Sequence, residues 1–168
     1  MVGWLVFGSL LGQSQAIVAN QPGWVAGGLE LNVQQMVWMS NDMTGQGPLK
    51  VPKGFPMDPG MMPGMQSAND NRLRVEVNLH NVTRHMQTYA KSDFRVFGPG
   101  GQSWPFVDIE GNGPVSATGL QPGYVVTLDL YFDIPIAQSK DLSIEWTRGG
   151  ATVDFPVDTS GVPTPHHH

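Results

Sequence analysis

Arg72-Leu73-Arg74-Val75-Glu76-Val77-Asn78-Leu79-His80 decides the fold class, because its apolar and polar residues alternate without a break. Successive side chains of a β-strand point to opposite faces of a sheet, so a period of two is typical of a strand with one buried face. The side chains predicted to face the core are Leu73, Val75, Val77 and Leu79. The segment therefore predicts a long, half-buried strand.

Further strand-like segments lie on both sides of this strand and are separated by Gly- and Pro-rich turns. The predicted strands are residues 29–39, 93–97, 103–109, 124–133, 142–147 and 151–157, and a short helical turn is predicted within 135–140. About seven short strands with no helical period predict an all-β fold, an immunoglobulin-like antiparallel β-sandwich.

The first of these strands changes phase toward its end. Met36 and Trp38 fall on the face opposite to the apolar residues that begin the strand at Leu29. Unless a β-bulge shifts the alternation, Met36 and Trp38 are predicted to lie on the outer face. The Met-, Pro- and Gly-rich residues 43–70 are the segment expected to cover them.

The composition excludes several classes of function. Charged residues make up only 14% of the chain, against about 25% in typical domains, and the net charge is −5, so nucleic acid is not a predicted partner. Cysteine is absent, which excludes disulfides, thiolate nucleophiles and Cys-based metal sites, including the blue copper centre. No nucleophile elbow, phosphate-binding loop or zinc-protease motif occurs, and we predict that the protein is not an enzyme.

Methionine is concentrated in one part of the chain. Seven of the nine methionines fall between Met36 and Met65, and four of them lie within residues 57–65, interleaved with Pro and Gly. Thioether sulfur is a soft ligand that selects Cu(I) over harder metals, so this segment predicts a Cu(I) site in a copper-handling protein. The predicted ligands are Met57, Met61, Met62 and Met65, with Met36, Met39 and Met43 as secondary candidates.

A protein-interaction or structural role is the alternative. Methionine also fills apolar surfaces that adapt to a partner, and the chain places aromatic residues near the same segments. In this interpretation the apolar N-terminus and the Met-rich flap contact a protein partner or a second copy through Trp4, Phe7, Trp24, Trp38 and Phe55.

Two short motifs beyond the main strand are also informative. His85-Met86 is a soft pair, but it follows the strand 72–80 at the end opposite to the Met-rich segment. One monomeric site that joins both is therefore not expected. Asn81-Val82-Thr83 fits an N-glycosylation acceptor, a tripeptide that is frequent by chance.

The domain organisation is predicted in three parts. Residues 1–16 are an apolar segment, either a remnant of a signal or membrane anchor or an extra strand, because the run is too short to span a bilayer. Residues 17–158 are predicted to form a single immunoglobulin-like domain with an insertion at 41–71. Residues 159–168 form a tail that ends in three histidines resembling an affinity tag.

Several motifs resemble one family. Residues 75–81, Phe94-Arg95-Val96, Leu120-Gln121-Pro122-Gly123 and Phe132-Asp133-Ile134-Pro135 follow the order seen in secreted bacterial immunoglobulin-like domains related to the immunoprotective extracellular antigen of mycobacteria. The resemblance covers roughly residues 73–157. It implies the sandwich fold and an extracytoplasmic location (periplasmic, cell-surface or secreted), and it assigns no activity.

Overall fold

The computed structural model describes residues 15–16, 23–39, 69–109 and 116–163. Within these ranges the chain forms eleven β-strands, two short 3-10 helices and no α-helix. The strands are β1 (Gln15–Ala16), β2 (Trp24–Ala26), β3 (Leu29–Met39), β4 (Asp70–Asn81), β5 (Gln87–Tyr89), β6 (Phe94–Phe97), β7 (Ser103–Pro105), β8 (Thr118–Leu120), β9 (Val125–Pro135), β10 (Ser143–Arg148) and β11 (Ala151–Pro156).

The strands form two main sheets and a ribbon, with antiparallel pairing throughout. The first sheet has the order β1-β3-β4-β9, with β2 also paired to β3, and the second has the order β11-β10-β6-β7. Strands β5 and β8 form the two-stranded ribbon. The predicted antiparallel β-sandwich is confirmed.

The core lies between the two sheets and follows the alternation read from the sequence. Leu73, Val75, Val77 and Leu79 of β4 are all fully buried, as predicted. Aromatic rings fill the space toward the second sheet: Trp24 stacks on Phe155 with centroids 5.1 Å apart, and Phe94 stacks on Trp146 at 5.9 Å. Along each of these strands, every second side chain thus contributes to a shared core.

A β-bulge in β3 corrects the prediction for Met36 and Trp38. The pairing of β3 with β4 shifts register between Val33 and Gln35, and the extra residue reverses the alternation beyond it. Met36 and Trp38 consequently face the core and are only 3% and 6% exposed. The outer-face placement predicted for an unbulged strand is wrong.

The indole of Trp38 also ties the C-terminal segment to the first sheet. Its Nε1–H donates a hydrogen bond to the backbone oxygen of Asp158 at 2.8 Å. A buried indole normally needs such an acceptor. The segment that follows β11 is therefore held across the sandwich rather than only at its own sheet.

The segment after β6 is shorter as a strand than predicted. The sequence predicts a strand over 103–109, whereas β7 ends at Pro105. Beyond it the Val107 N–H donates to the Tyr131 oxygen at 2.6 Å, so the chain crosses from the second sheet to the edge of the first. The predicted helical turn is confirmed as the 3-10 helix Ile136–Gln138.

Candidate functional site

Several loops meet at one end of the sandwich, which we call the loop end. It comprises the β2–β3 turn at 27–28, the β4–β5 loop at 82–86, the β8–β9 turn at 121–124 and the β10–β11 turn at 149–150. Loops held by a rigid sheet are the usual location of binding residues in sandwiches. The loop end is therefore the expected location of a binding site.

Asn81, the last residue of β4, organises this end. Its side chain is fully buried, and its Nδ2 donates to the backbone oxygens of His85 and Leu120, each at 2.8 Å. Its Oδ1 accepts from the Thr83 N–H at 3.0 Å and from the Thr83 hydroxyl at 2.8 Å. One amide therefore fixes the loop 82–86 and the β8–β9 turn to the sheet.

The exposed apolar residues of the described chain are gathered around these loops. The large hydrophobic side chains that remain exposed within the described residues form a group that we call the rim: Val25 (62%), Val82 (47%), Met86 (59%), Tyr124 (66%) and Val125 (55%). Scattered exposed hydrophobics are ordinary, but a group confined to one end of a domain indicates a contact surface.

Strand pairing places Val25 and Val125 of the rim in one row, separated by the polar residues Glu30 and His80. Val25 pairs with Glu30, Glu30 with His80 and His80 with Val125, which makes one row across four strands. The His80 Nδ1 lies 3.5 Å from a Glu30 carboxylate oxygen in the middle of this row. An exposed valine therefore sits at each end of a polar pair.

Met86 lies over the β8–β9 turn. The Gln121 Nε2 donates to the Met86 sulfur at 3.7 Å, and a Cβ on Gly119 would lie 2.8 Å from that sulfur. The absence of a side chain at Gly119 thus leaves room for the methionine. The charge around Met86 and Tyr124 is basic, since residues 82–86 and 121–125 contain Arg84 and no carboxylate. Beside Val25 the half-buried Glu30 supplies a carboxylate, which faces His80.

A polar cleft opens beside the rim, and we call it the Arg148 cleft. Its volume is about 390 Å³ and its lining is Gly27, residues 87–90, Asp93, Ala117 and residues 147–149. Arg148 follows the buried residues Ile144 and Trp146 at a spacing of two along β10, so it lies on the same face of the strand. The cleft therefore forms at the loop end of the space between the sheets.

Arg148 joins three parts of the chain at the cleft. Its Nε donates to the Gly27 oxygen at 3.2 Å, Nη1 donates to the Thr88 oxygen, and Nη2 donates to the Gln87 Oε1 at 3.1 Å. Gly27 adopts a φ of +50°, and a Cβ there would lie 2.9 Å from the arginine Cγ. Only glycine fits both the turn and the arginine at this position.

Asp93 is the carboxylate of the cleft. It lies 4.0 Å from the Arg148 Nη1, beyond hydrogen-bond distance, and its Oδ2 accepts from the Ala90 N–H at 3.2 Å. Burial raises the pKa of Asp93 above its ordinary value, against the opposing effects of the Ala90 hydrogen bond and of the Arg148 charge. Burial also lowers the pKa of Arg148.

The outer face of the first sheet carries a second polar group, which consists of ion pairs. Arg72 donates two hydrogen bonds to Asp133, at 2.7 and 2.8 Å. Arg74 contacts Asp129 at 2.7 Å and Glu76 at 3.0 Å. Because these charges satisfy one another on the flat surface of a sheet, they offer no concave site for a ligand.

The predicted methionine ligands are placed only in part. Met36 and Met39 belong to β3, and the alternation beyond the bulge puts Met36 in the core and the half-buried Met39 on the opposite face. These two thioethers cannot converge on one ion. Met43, Met57, Met61, Met62 and Met65 lie outside the described residues.

The predicted contact residues are likewise divided. Trp38 is buried and Trp24 stacks on Phe155, so both serve the core. Trp4, Phe7 and Phe55 lie outside the described residues. Among the described residues no cluster of three His, Asp or Glu side chains is arranged to hold a metal ion.

The sequence pattern does not identify Arg148, Asp93 or Asn81 as residues of a site. Arg148-Gly149-Gly150 indicates only a turn between two predicted strands, although an arginine that follows buried residues at a spacing of two is itself a signal. Asn81-Val82-Thr83 matches a glycosylation acceptor, yet the same spacing is that of an Asx turn. The full burial of Asn81 favours the turn.

Comparison with known proteins identifies similar folds but assigns no function. No family model matches the sequence, and no curated protein matches it significantly. The structure is similar to that of a functionally unknown Listeria monocytogenes protein, with a TM-score of 0.57, 14% identity and coverage of 87% of each chain.

Two other solved structures are also similar to this one. One is a candidate lipoprotein of Bacillus subtilis, YcdA, with a TM-score of 0.57 and 15% identity, where the match covers 83% of this chain and 39% of that one. The other is MPT63, a secreted protein of Mycobacterium tuberculosis, with a TM-score of 0.44, 14% identity and coverage of 92% and 98%. The fold-level resemblance predicted from the motifs is confirmed.

Within the part of the chain that the structure describes, no helix is both long enough and apolar enough to cross a bilayer.

Proposed function

We propose that this protein is a non-catalytic binding module that acts outside the cytoplasm and contacts a protein partner through the rim. The observation that carries the proposal is the position of the large hydrophobic side chains that remain exposed: those found within the described residues all lie at or next to the loop end. The remaining apolar side chains are largely buried between the sheets.

The chemistry of the rim indicates the kind of partner. Tyr, Met and Arg are enriched at protein interfaces, and the rim combines Tyr124 and Met86 with the adjacent Arg84. The absence of carboxylates in residues 82–86 and 121–125 contrasts with a net charge of −5 for the whole chain. A partner with apolar side chains flanked by Asp or Glu is therefore complementary in both respects.

The location is supported by two independent features. The N-terminal residues form an apolar run typical of an export or anchoring segment. One similar structure belongs to a candidate lipoprotein and another to a secreted protein.

A selection from a random peptide library displayed on phage tests the rim directly. Enriched peptides are expected to pair aromatic or aliphatic residues with Asp or Glu. Their affinity should fall by about tenfold or more when Met86→Ser and Tyr124→Ser are combined, as expected for hot-spot side chains. The matched control is Ala137→Ser, an exposed position in the 3-10 helix after β9, which should leave the affinity unchanged.

Two results would contradict the proposal. One is the absence of enriched peptides. The other is a set of peptides that bind the Met86→Ser/Tyr124→Ser protein as tightly as the unsubstituted protein.

Cu(I) binding is the second candidate, and it rests on the sequence of residues 57–65. Four thioethers within nine residues, in a chain without cysteine, suit a three- or four-sulfur Cu(I) shell. Titration with Cu(I) under reducing conditions, against a chelator and without the terminal histidines, should show binding that Met61→Ala, Met62→Ala and Met65→Ala together abolish. Met36→Ala should not affect it, because Met36 is in the core.

A further inference from the structure

The Arg148 cleft contains an arginine and a carboxylate that leave hydrogen-bonding capacity unused. A guanidinium has five N–H donors, and three of them bond to oxygens of Gly27, Thr88 and Gln87. The other two N–H groups make no hydrogen bond within the described residues. The Asp93 carboxylate receives one hydrogen bond there, from the Ala90 N–H.

The small residues that line the cleft leave space next to these groups. Gly27, Ala90, Ala117 and Gly149 contribute little side-chain volume, and the cleft measures about 390 Å³. This volume lies within the range of small-ligand pockets, roughly 300–1,000 Å³. The Arg148 side chain is only 11% exposed and that of Asp93 27%, so a bound group would be partly removed from water.

The two charges select the kind of group that fits. A carboxylate near Arg148 would also approach Asp93, and an ammonium near Asp93 would also approach Arg148, so either ion meets a like charge. A neutral group with one acceptor and one donor meets neither penalty. A carboxamide has this pattern, since its oxygen can accept from Arg148 while its N–H donates to Asp93.

We propose that the Arg148 cleft binds a carboxamide, either the side chain of Asn or Gln or a peptide unit. This inference is separate from the protein contact proposed for the rim, because it requires only the groups inside the cleft. The carbonyl oxygen faces the two unused guanidinium N–H groups, and the amide N–H faces the Asp93 carboxylate.

Three isosteric probes test the proposal by NMR: acetamide, acetate and acetamidinium, which share one planar shape and differ in charge. They are added at millimolar concentrations to the ¹⁵N-labelled full chain, because four heavy atoms can supply only weak affinity. Acetamide is expected to shift the backbone amide resonances of Gly27, Thr88, Ala90 and Gly149, with an affinity at least threefold higher than that of either ion.

Three variants complete the test. Asp93→Asn removes the negative charge and should reverse the order, so that acetate binds more tightly than acetamide. Asp154→Asn changes an exposed carboxylate on β11 outside the cleft and should leave the order unchanged. Ala117→Leu fills the cleft and should abolish the acetamide shifts while the spectrum remains dispersed.

The proposal is overturned if acetamide causes no localised shifts, or if the three probes bind equally. It is also overturned if the unsubstituted protein prefers acetate, or if acetamide still binds the Ala117→Leu protein. These outcomes are independent of the peptide selection on the rim, so failure of one proposal leaves the other standing.

Discussion

The Oδ1 of Asn81 accepts two hydrogen bonds from Thr83, one from its N–H at 3.0 Å and one from its hydroxyl at 2.8 Å. This Asx turn begins the loop that carries Val82 and Met86 of the rim. The apolar surface of the loop end therefore depends on a polar side chain beneath it.

Asn81→Ala should lower the free energy of unfolding by about 3 kcal/mol, because it removes four hydrogen bonds made by a fully buried side chain. Urea denaturation at neutral pH measures the change. Asn78→Ala on the same strand is the control, since Asn78 is half-buried and accepts one bond from the Thr127 hydroxyl at 2.7 Å. It should cost less than about 1 kcal/mol. Equal losses for the two variants would contradict the central role of Asn81.

Met36→Ala should cost about 2–4 kcal/mol, since truncation of a core methionine leaves a cavity. The matched control is Met39→Ala, whose side chain lies half-buried on the other face of the same strand and should cost about 1 kcal/mol or less. Chemical denaturation of both variants reports the difference. A larger loss for Met39→Ala would show that the β-bulge does not turn Met36 inward.

Asp133→Asn should destabilise the fold by about 2–3 kcal/mol, because it leaves the guanidinium of the buried Arg72 without its carboxylate. Asp129→Asn tests the neighbouring pair on the same strand. Arg74 and Asp129 are 29% and 33% exposed, and such a solvated pair contributes about 0–1 kcal/mol. Urea unfolding should therefore separate the two variants, and equal effects would contradict the difference in burial.

Asp93→Asn should become more stable than the unsubstituted protein as the pH rises. Burial raises the folded-state pKa of Asp93, so ionisation destabilises the folded state. This cost is absent below the unfolded-state pKa, about 3.9, grows as the pH rises to the folded-state value, and is constant above it. Thermal melts of both proteins from acid to neutral pH should show that their free energies of unfolding differ by less than about 1 kcal/mol, since the carboxylate is partly solvated. A stability advantage of Asp93→Asn that shrinks as the pH rises would contradict the raised pKa of Asp93.

The strands with regular alternation were predictable because burial on one face imposes a period of two. Strand β4 was predicted almost to its ends, and β9, β10 and β11 were each predicted within about two residues. The sequence pattern does not predict the strands β2, β5 and β8, since three residues show no period. Strand β1 lies within residues 1–16, where an extra strand is one of the two expectations. The pairing of these short strands is set by the tertiary fold.

The candidate site was less predictable than the fold. Cleft residues such as Gly27, Asp93 and Arg148 are far apart in sequence, and only the packing of the β2–β3 turn, the β5 region and the end of β10 brings them together. Met36 and Trp38 were assigned to the wrong face because a single bulge residue is invisible to a periodic pattern. The methionines of residues 57–65 remain a prediction from composition.

The most direct measurement of the central claim is an NMR chemical-shift map of the ¹⁵N-labelled protein with a peptide selected on it. The binding-module account predicts shifts concentrated at residues 82–86 and 121–125 and at Val25. Few shifts are expected in β11 or at the opposite end of the first sheet, where Arg72 lies. Shifts concentrated away from the loop end, with those residues unperturbed, would contradict it.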